Sequence, residues 1–303
     1  MKSVGLIGCG LWGQNILRDL LRLGCRVHVC DIEPERRAEA LQQGAETVTD
    51  RPQSLAPVDG FVISSPASTH LDIVAAIADA RRPIYCEKPF ATDSAAARRI
   101  AGPIAHRLFV MHVWRHHAGV QALRDIAGSG ELGSVRMLRS LRANWTSPRR
   151  DVDPVWTLAP HDLSICLEVL GEIPRPRFAT LERREDGRPV GMLGVLGDCA
   201  TPGPECIIEV STRYGERHRE VRIHGTSGVA VLRDDALEIL RGNELQPARE
   251  ARELDAMPAL LRELECFVKH LAGGPAPASS VEETIAMIEA LEALRALAGD
   301  APR

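Results

Sequence analysis

Six residues constrain the fold of this chain more than any others. Gly8-Cys9-Gly10-Leu11-Trp12-Gly13 stands between a short apolar run, Ser3–Ile7, and a segment with helical apolar spacing, Trp12–Leu23. The run has the length of a buried strand, and apolar residues at 12, 16 and 20 and at 17 and 21 recur at helical spacing. A strand that turns into a helix through GxGxxG points to a dinucleotide site. The first glycine permits the tight turn, the second lets backbone approach a pyrophosphate, and the third packs helix on strand. The helix N-terminus then offers unpaired N–H groups to phosphate. Asp31 ends the next strand, Arg26–Cys30, 18 residues beyond Gly13. A carboxylate there accepts from a ribose 2′-hydroxyl and repels a 2′-phosphate, so NAD is expected and NADP is disfavoured. Arg36 and Arg37 would reverse that preference, but they sit inside the following helix and are expected to face solvent.

The alternation continues. Pro34–Gln43 reads as a helix with proline at its start and Gly44 past its end. Gly60–Ser64, Pro83–Cys86 and Leu108–Val113 read as strands, and His70–Ala80 and Asp93–Ile100 as helices. Strands alternating with helices imply right-handed crossovers and a doubly wound parallel sheet. Past about residue 116 the pattern changes. Val120–Ala127 and His161–Leu170 read as helices. Ser134–Asn144, Arg177–Leu181, Gly191–Leu196, Cys206–Thr212, Arg219–His224, Val229–Leu232 and Leu237–Leu240 read as strands, with a hairpin turn at Gly225–Gly228. Two helices end the chain. One gathers Leu260, Leu264, Phe267, Val268 and Leu271, and the other opens with the capping box Ser280–Glu283. The expected architecture is α/β: a dinucleotide-binding Rossmann domain over residues 1–116 and a second, α+β domain over 117–303 with a mostly antiparallel open sheet.

Composition narrows the function classes. A length of 303 residues suits two domains. A net charge of -4 argues against a nucleic-acid or anionic membrane surface, and 4% aromatics against a base-stacking platform. No apolar run reaches the roughly 18 residues a membrane span needs. The uncharged stretch up to Leu17 resembles a secretory signal only superficially. It is rich in glycine, holds Gln14 and Asn15 and lacks a small-x-small cleavage site, so a cytoplasmic protein is expected. The eight cysteines, at 9, 25, 30, 86, 166, 199, 206 and 266, form no CxxC pair and fit no zinc spacing. They read as reduced, mostly buried thiols.

Two further segments stand at carboxyl ends of strands, where doubly wound sheets bind ligands. They are Ser64-Ser65-Pro66-Ala67-Ser68-Thr69-His70 and Glu87-Lys88-Pro89. With the glycine motif they resemble the Gfo/Idh/MocA family of NAD(P)-dependent sugar and cyclitol oxidoreductases. Arg115, Gly130-Glu131-Leu132-Gly133 and Trp156-Thr157-Leu158-Ala159-Pro160-His161-Asp162 fit the same pattern, and the last segment looks most like the branch acting on nucleotide-sugars and related sugars.

The resemblance covers essentially the whole chain. It implies a glucose-6-phosphate-dehydrogenase-like second domain whose open sheet serves a homodimer or homotetramer, and a small-molecule substrate. It implies a cofactor site from Gly8, Gly10, Leu11, Trp12, Gly13, Asp31, Ser65, Pro66, His70, Glu87 and Lys88. Lys88 is expected to stabilise the alkoxide that builds up as hydride leaves a carbinol, and lysine pKa values fall readily on burial. Glu87 is expected to position the cofactor or Lys88. The Lys88–Pro89 bond is a candidate cis peptide, since X–Pro adopts cis cheaply.

His161 matches the family histidine that donates and accepts the proton, a role suited to a pKa near operating pH. Four residues earlier the family usually has aspartate, and here Thr157 stands instead. Threonine offers a weak hydrogen bond and no charge. Asp151 and Asp153 in the preceding loop are candidate substitutes. His112, Arg115, Asn144, Thr157 and Asp162 are candidate substrate contacts, although Asp162 is expected to point away from His161. His112, His116 and His117 form a dense cluster. It reads as pocket lining rather than a metal site, because no carboxylate or cysteine completes it, and no metal is expected. The reading is therefore an NAD-dependent dehydrogenase of a sugar, nucleotide-sugar or cyclitol-like alcohol. The alternatives are an imine or other carbonyl reductase, and an inactive NAD(H)-binding sensor or partner protein.

Overall fold

A computed structural model describes residues 1–145, 151–198, 203–243 and 246–300. Among them the chain forms two compact units: Met1–Val113 with Pro258–Ala286, and Trp114–Met257 with Met287–Arg303. A single cut near residue 116 therefore does not divide the chain. The penultimate helix and the start of the last one belong with the N-terminal unit.

The first unit runs β1 (Ser3–Ile7), α1 (Leu11–Arg22), β2 (Arg26–Cys30), α2 (Pro34–Gln42), β3 (Thr47–Thr49), β4 (Gly60–Ile63), α3 (His70–Ile77), β5 (Ile84–Glu87), α4 (Ser94–Ala101) and β6 (Leu108–Met111). Its strands are parallel in the order β3-β2-β1-β4-β5-β6, the doubly wound Rossmann order. The three-residue β3 carries no apolar run, which is why the sequence does not announce it. The strand expected to reach Val113 stops at Met111, so His112 lies just past the carboxyl end of β6.

The second unit begins with α5 (Ala118–Ser129), β7 (Val135–Ala143) and α6 (Pro154–Leu170). Seven strands follow: β8 (Pro176–Arg183), β9 (Pro189–Leu196), β10 (Glu205–Ser211), β11 (His218–Gly225), β12 (Val229–Arg233), β13 (Ala236–Asn243) and β14 (Gln246–Arg252). With β7 they form one sheet in the order β14-β13-β12-β11-β7-β10-β9-β8. Only the β7–β10 pair is parallel. Strand β14 has no apolar alternation for sequence reading to find. It exists because its backbone pairs with β13 at a charged sheet edge.

Helix α6 starts seven residues earlier than the pattern suggested. Asp153 caps it, its Oδ1 accepting from Val155 N–H at 2.9 Å and Trp156 N–H at 3.2 Å, and Pro154 occupies the first turn. The helix continues through Pro160 even though proline donates no backbone hydrogen bond.

The last helices are α7 (Ala259–Leu271) and α8 (Val281–Leu297). Leu260, Leu264 and Phe267 recur at helical spacing and are buried in the core of the first unit, where the Phe267 ring lies 5.0 Å from Tyr85 of β5. The expected capping box holds: Ser280 Oγ accepts from Glu283 N–H and Glu283 Oε2 from Ser280 N–H, each at 3.2 Å. Just before it, Ser279 accepts from Val110 N–H at 3.1 Å and partly covers the free edge of β6.

Candidate active site

The three glycines of the turn do different work. Gly8 has φ +91°, and a Cβ there would lie 2.5 Å from the Ser65 backbone nitrogen. A Cβ on Gly13 would lie 2.4 Å from Gly8 O. Both are required by the protein's own packing. Gly10 has an ordinary φ of -70°, and its Cβ would meet nothing closer than Arg36 at 3.7 Å. The protein itself leaves that space open. Gly10 is also the N-cap of α1 and brings no side-chain acceptor, so the leading N–H groups of the helix, at exposed Leu11 and Trp12, are available to an anion. Open space beside free donors fits the pyrophosphate of a dinucleotide.

Asp31 follows β2 and is buried. Its Oδ2 accepts from Cys9 N–H at 2.7 Å and its Oδ1 from Glu33 N–H at 3.0 Å. This fixes the carboxylate beside the turn. Burial and the Asp31 charge push the Cys9 thiol up to about 11, so it stays protonated and inert. Arg36 is exposed as expected, whereas Arg37 is half-buried. Arg36 Nη1 stands 3.9 Å from Asp31 Oδ2 and leans over the glycine turn. Arg37 donates to Asp31 O at 2.7 Å and Ile32 O at 2.9 Å. Both are long side chains whose α2 positions lie within reach of the β2 end.

Glu87 closes β5 and is buried. Its Oε1 accepts from the Trp12 indole N–H of the glycine turn, and its Oε2 accepts from Lys88 N–H at 3.0 Å. One carboxylate thus ties the turn to the loop that carries Lys88. Lys88 is itself buried, and the Lys88–Pro89 bond is cis. His70, fully buried, bridges the neighbouring loops: Nδ1 is 2.9 Å from Pro89 O and Nε2 is 3.0 Å from Ser65 O. It acts as a brace between the Ser65–Pro66 and Lys88–Pro89 segments, with both ring nitrogens turned onto backbone.

In the second unit His161 lies in α6, one turn after Thr157. Thr157 Oγ1 donates to Asp153 O at 3.2 Å. Asp153 is committed as the helix cap and, through Oδ2, to Arg295 at 2.8 Å, so it does not replace the missing aspartate. Asp162 is fully buried. Its Oδ1 accepts from Ser140 Oγ at 2.5 Å and its Oδ2 from Arg142 Nε at 2.9 Å. It is a buried anion held between α6 and β7. Arg115 is drawn into a buried pair with Glu168 of α6 at 2.8 Å, and Glu168 also takes Arg124 at 2.7 Å. Asn144 holds strand ends together through its backbone, donating to Ser211 O and accepting from Tyr214 N–H.

The histidine cluster disperses. His112 Nε2 is 3.0 Å from Thr284 Oγ1, whose own proton goes to Ser280 O. His117 caps α5 and stands 2.9 Å from Asp235, while His116 is buried. Among the described residues no group of three or more His, Cys, Asp or Glu is arranged to hold a metal. Seven cysteines stand outside any disulfide, all but the half-buried Cys266 being buried, and Cys199 lies outside the described residues.

Residues 2–108 match the family model described as "Oxidoreductase family, NAD-binding Rossmann fold", that of Gfo/Idh/MocA. Through this domain the chain resembles the Gfo/Idh/MocA oxidoreductases. An inositol 2-dehydrogenase from Burkholderia lata is 32% identical over 185 residues, 56% of this chain and 55% of that protein. The chain thus matches about half the length of the curated relatives it resembles. Over the whole length the likeness is one of fold. A UDP-N-acetylglucosamine 3-dehydrogenase from Acidithiobacillus ferrooxidans superposes with a TM-score of 0.86 at 23% identity, covering 99% of this chain and 98% of that one. A levoglucosan dehydrogenase in complex with NADH gives 0.88 at 18% identity over the same shares.

In this chain, sequence reading passed over three charged residues. Arg142 is buried on Asp162 and stacks over Trp114 at 4.4 Å. Glu168 gathers two arginines. Glu263 of α7 is fully buried, with Tyr85 O–H donating to its Oε1 at 3.3 Å. Glu263 alone had a signal: it stands beside Leu264, on the apolar face of its helix. No helix among the described residues is long and apolar enough to cross a membrane.

Proposed function

We propose that the chain is an NAD-dependent dehydrogenase that moves a hydride between nicotinamide and a secondary alcohol or ketone of a sugar-, nucleotide-sugar- or cyclitol-like substrate. The observation that carries this reading is the Glu87 junction. Trp12 of the glycine turn and Lys88 N–H share one buried carboxylate, so the residue assigned to the reacting oxygen is tied to the loop assigned to the cofactor. The relatives named for inositol, levoglucosan and UDP-N-acetylglucosamine support a ring alcohol as the substrate class.

Gly10 and the start of α1 would take the pyrophosphate and Asp31 the adenosine ribose. Bound nicotinamide supplies the hydride acceptor in oxidation. Lys88 stabilises the alkoxide charge as the hydride leaves, and His161 takes the hydroxyl proton on a ring nitrogen. In reduction the proton returns by the same route. The exposed face of the eight-stranded sheet, with half-buried Leu141, Leu193, Val195 and Ile207, is assigned to a second copy in a homodimer or homotetramer. A cytoplasmic setting, which suits cysteines outside any disulfide, belongs to the same proposal.

A second reading has one observation in its favour. Thr157 gives His161 no charged partner, which suits imine or other carbonyl reduction, or a chain that binds NAD(H) without turnover. Single-turnover assays with NAD and a panel of cyclic polyols and nucleotide-sugars decide. Oxidation of a ring alcohol, slowed about 10²–10³-fold by Lys88→Ala, is expected. Tight NADH binding with no turnover across the panel would move the chain to the sensor class.

A further inference from the structure

Glu263 is a buried carboxyl that the proposed chemistry does not use. It projects from α7 into the layer beneath β5. Tyr85 and Glu87 stand two residues apart on that strand, so their side chains share one face of the sheet. Tyr85 and Phe267 sit in the core cluster that α1 and α7 cover. Glu263 has no exposed surface. The carboxyl takes a backbone hydrogen bond from His112 and, at Oε1, the long bond from Tyr85, while its Oε2 has no hydrogen-bond partner among the described residues. No ion pair reaches it there. Glu87, in contrast, takes an N–H donor on each oxygen, an arrangement that suits a carboxylate.

We propose that Glu263 is a positioning residue for the Trp12–Glu87–Lys88 junction, a neutral acid that lets Glu87 alone carry the negative charge of this layer. The proposal rests on the functional reading above only for the identity of the bound cofactor. An isolated carboxylate in such a site has nothing to offset its lost hydration, so the group keeps its proton. The groups around it agree. Tyr85 and Glu87 face it from β5, the His112 backbone from the end of β6 and Cys266 from α7, while Ser279 faces Tyr85. None supplies a positive charge. Burial first, and the Glu87 charge second, push the Glu263 carboxyl well above the usual range. Loss of its proton would place two negative charges beneath the loops that hold Trp12 and Lys88, and would loosen both.

Infrared spectroscopy and NADH titration test this on the intact protein. The wild type at neutral pH should show the carbonyl stretch of a buried protonated carboxylic acid. Glu263→Gln should lack it. In Tyr85→Phe the band should remain but shift, because its only side-chain donor is gone. NADH affinity of the wild type should fall roughly tenfold as pH rises above neutral and Glu263 loses its proton, the equivalent of one pKa unit of coupling, a fall that Glu263→Gln should not show. A neutral-pH spectrum identical in wild type and Glu263→Gln would overturn the proposal, as would superimposable pH profiles of NADH affinity. Failure of the wild type to bind NADH at any pH would strike the functional reading instead, and the infrared band would still judge Glu263.

Discussion

The Thr157 hydroxyl donates to the backbone carbonyl of Asp153 at 3.2 Å. Its single proton is spent inside α6, so toward His161 it has only lone pairs to offer. Asp153 is spent as well, on the helix cap and on Arg295. Neither residue supplies the negative charge that would stabilise an imidazolium one turn further on.

Restoring that charge should be visible in kinetics. Thr157→Asp is expected to raise the pKa of His161 by about one to three units, the effect of an opposite charge within about 4–6 Å. Oxidation needs the neutral ring, so activity appears as pH rises through this pKa, and a raised value moves that limb to higher pH. The kcat/KM profile of wild type and variant, measured with whichever ring alcohol is turned over, checks this. An unmoved limb would remove His161 as the base.

The glycine turn separates packing from binding. Gly13→Ala should cost about 1–3 kcal/mol of stability, because its Cβ would press on Gly8 O at 2.4 Å. Gly10→Ala meets no protein atom within 3.7 Å, so its cost should fall on NADH affinity. Denaturant melts and NADH titrations of both variants distinguish the two. Equal stability losses would mean that the space at Gly10 is not reserved for a ligand.

Cofactor preference should depend on two opposed side chains. Asp31 favours NADH, and Arg36 at 3.9 Å is placed to soften its repulsion of a 2′-phosphate. The wild type is expected to bind NADH more tightly than NADPH, and Arg36→Ala should widen the ratio by roughly tenfold, about 1.4 kcal/mol. Asp31→Ala should narrow it. Titration of both reduced cofactors against the three proteins measures this, and an unchanged ratio in Arg36→Ala would show that the guanidinium plays no part.

What the sequence determined by itself was local. The GxGxxG turn, the alternation around it and the capping box at Ser280 all depend on neighbours within a few residues, whose φ/ψ needs and periodicity are written in order along the chain. Gly8 and Gly13 are legible because a turn this tight has no room for a Cβ, and the parallel sheet follows from the alternation. What only the tertiary structure decided was which charges and hydroxyls meet. Asp162 became a buried anion because Arg142 and Ser140 of β7 lie beneath α6, and Arg115 pairs with Glu168 of that helix. Short β3, charged β14 and the passage of α6 through Pro160 likewise depend on partners that backbone pairing and packing provide, not on residue type. Glu263 meets Tyr85 across 178 positions of sequence. The strength and sign of such a contact are set by burial and by the charge opposite, and both exist only once distant segments have been brought into one core.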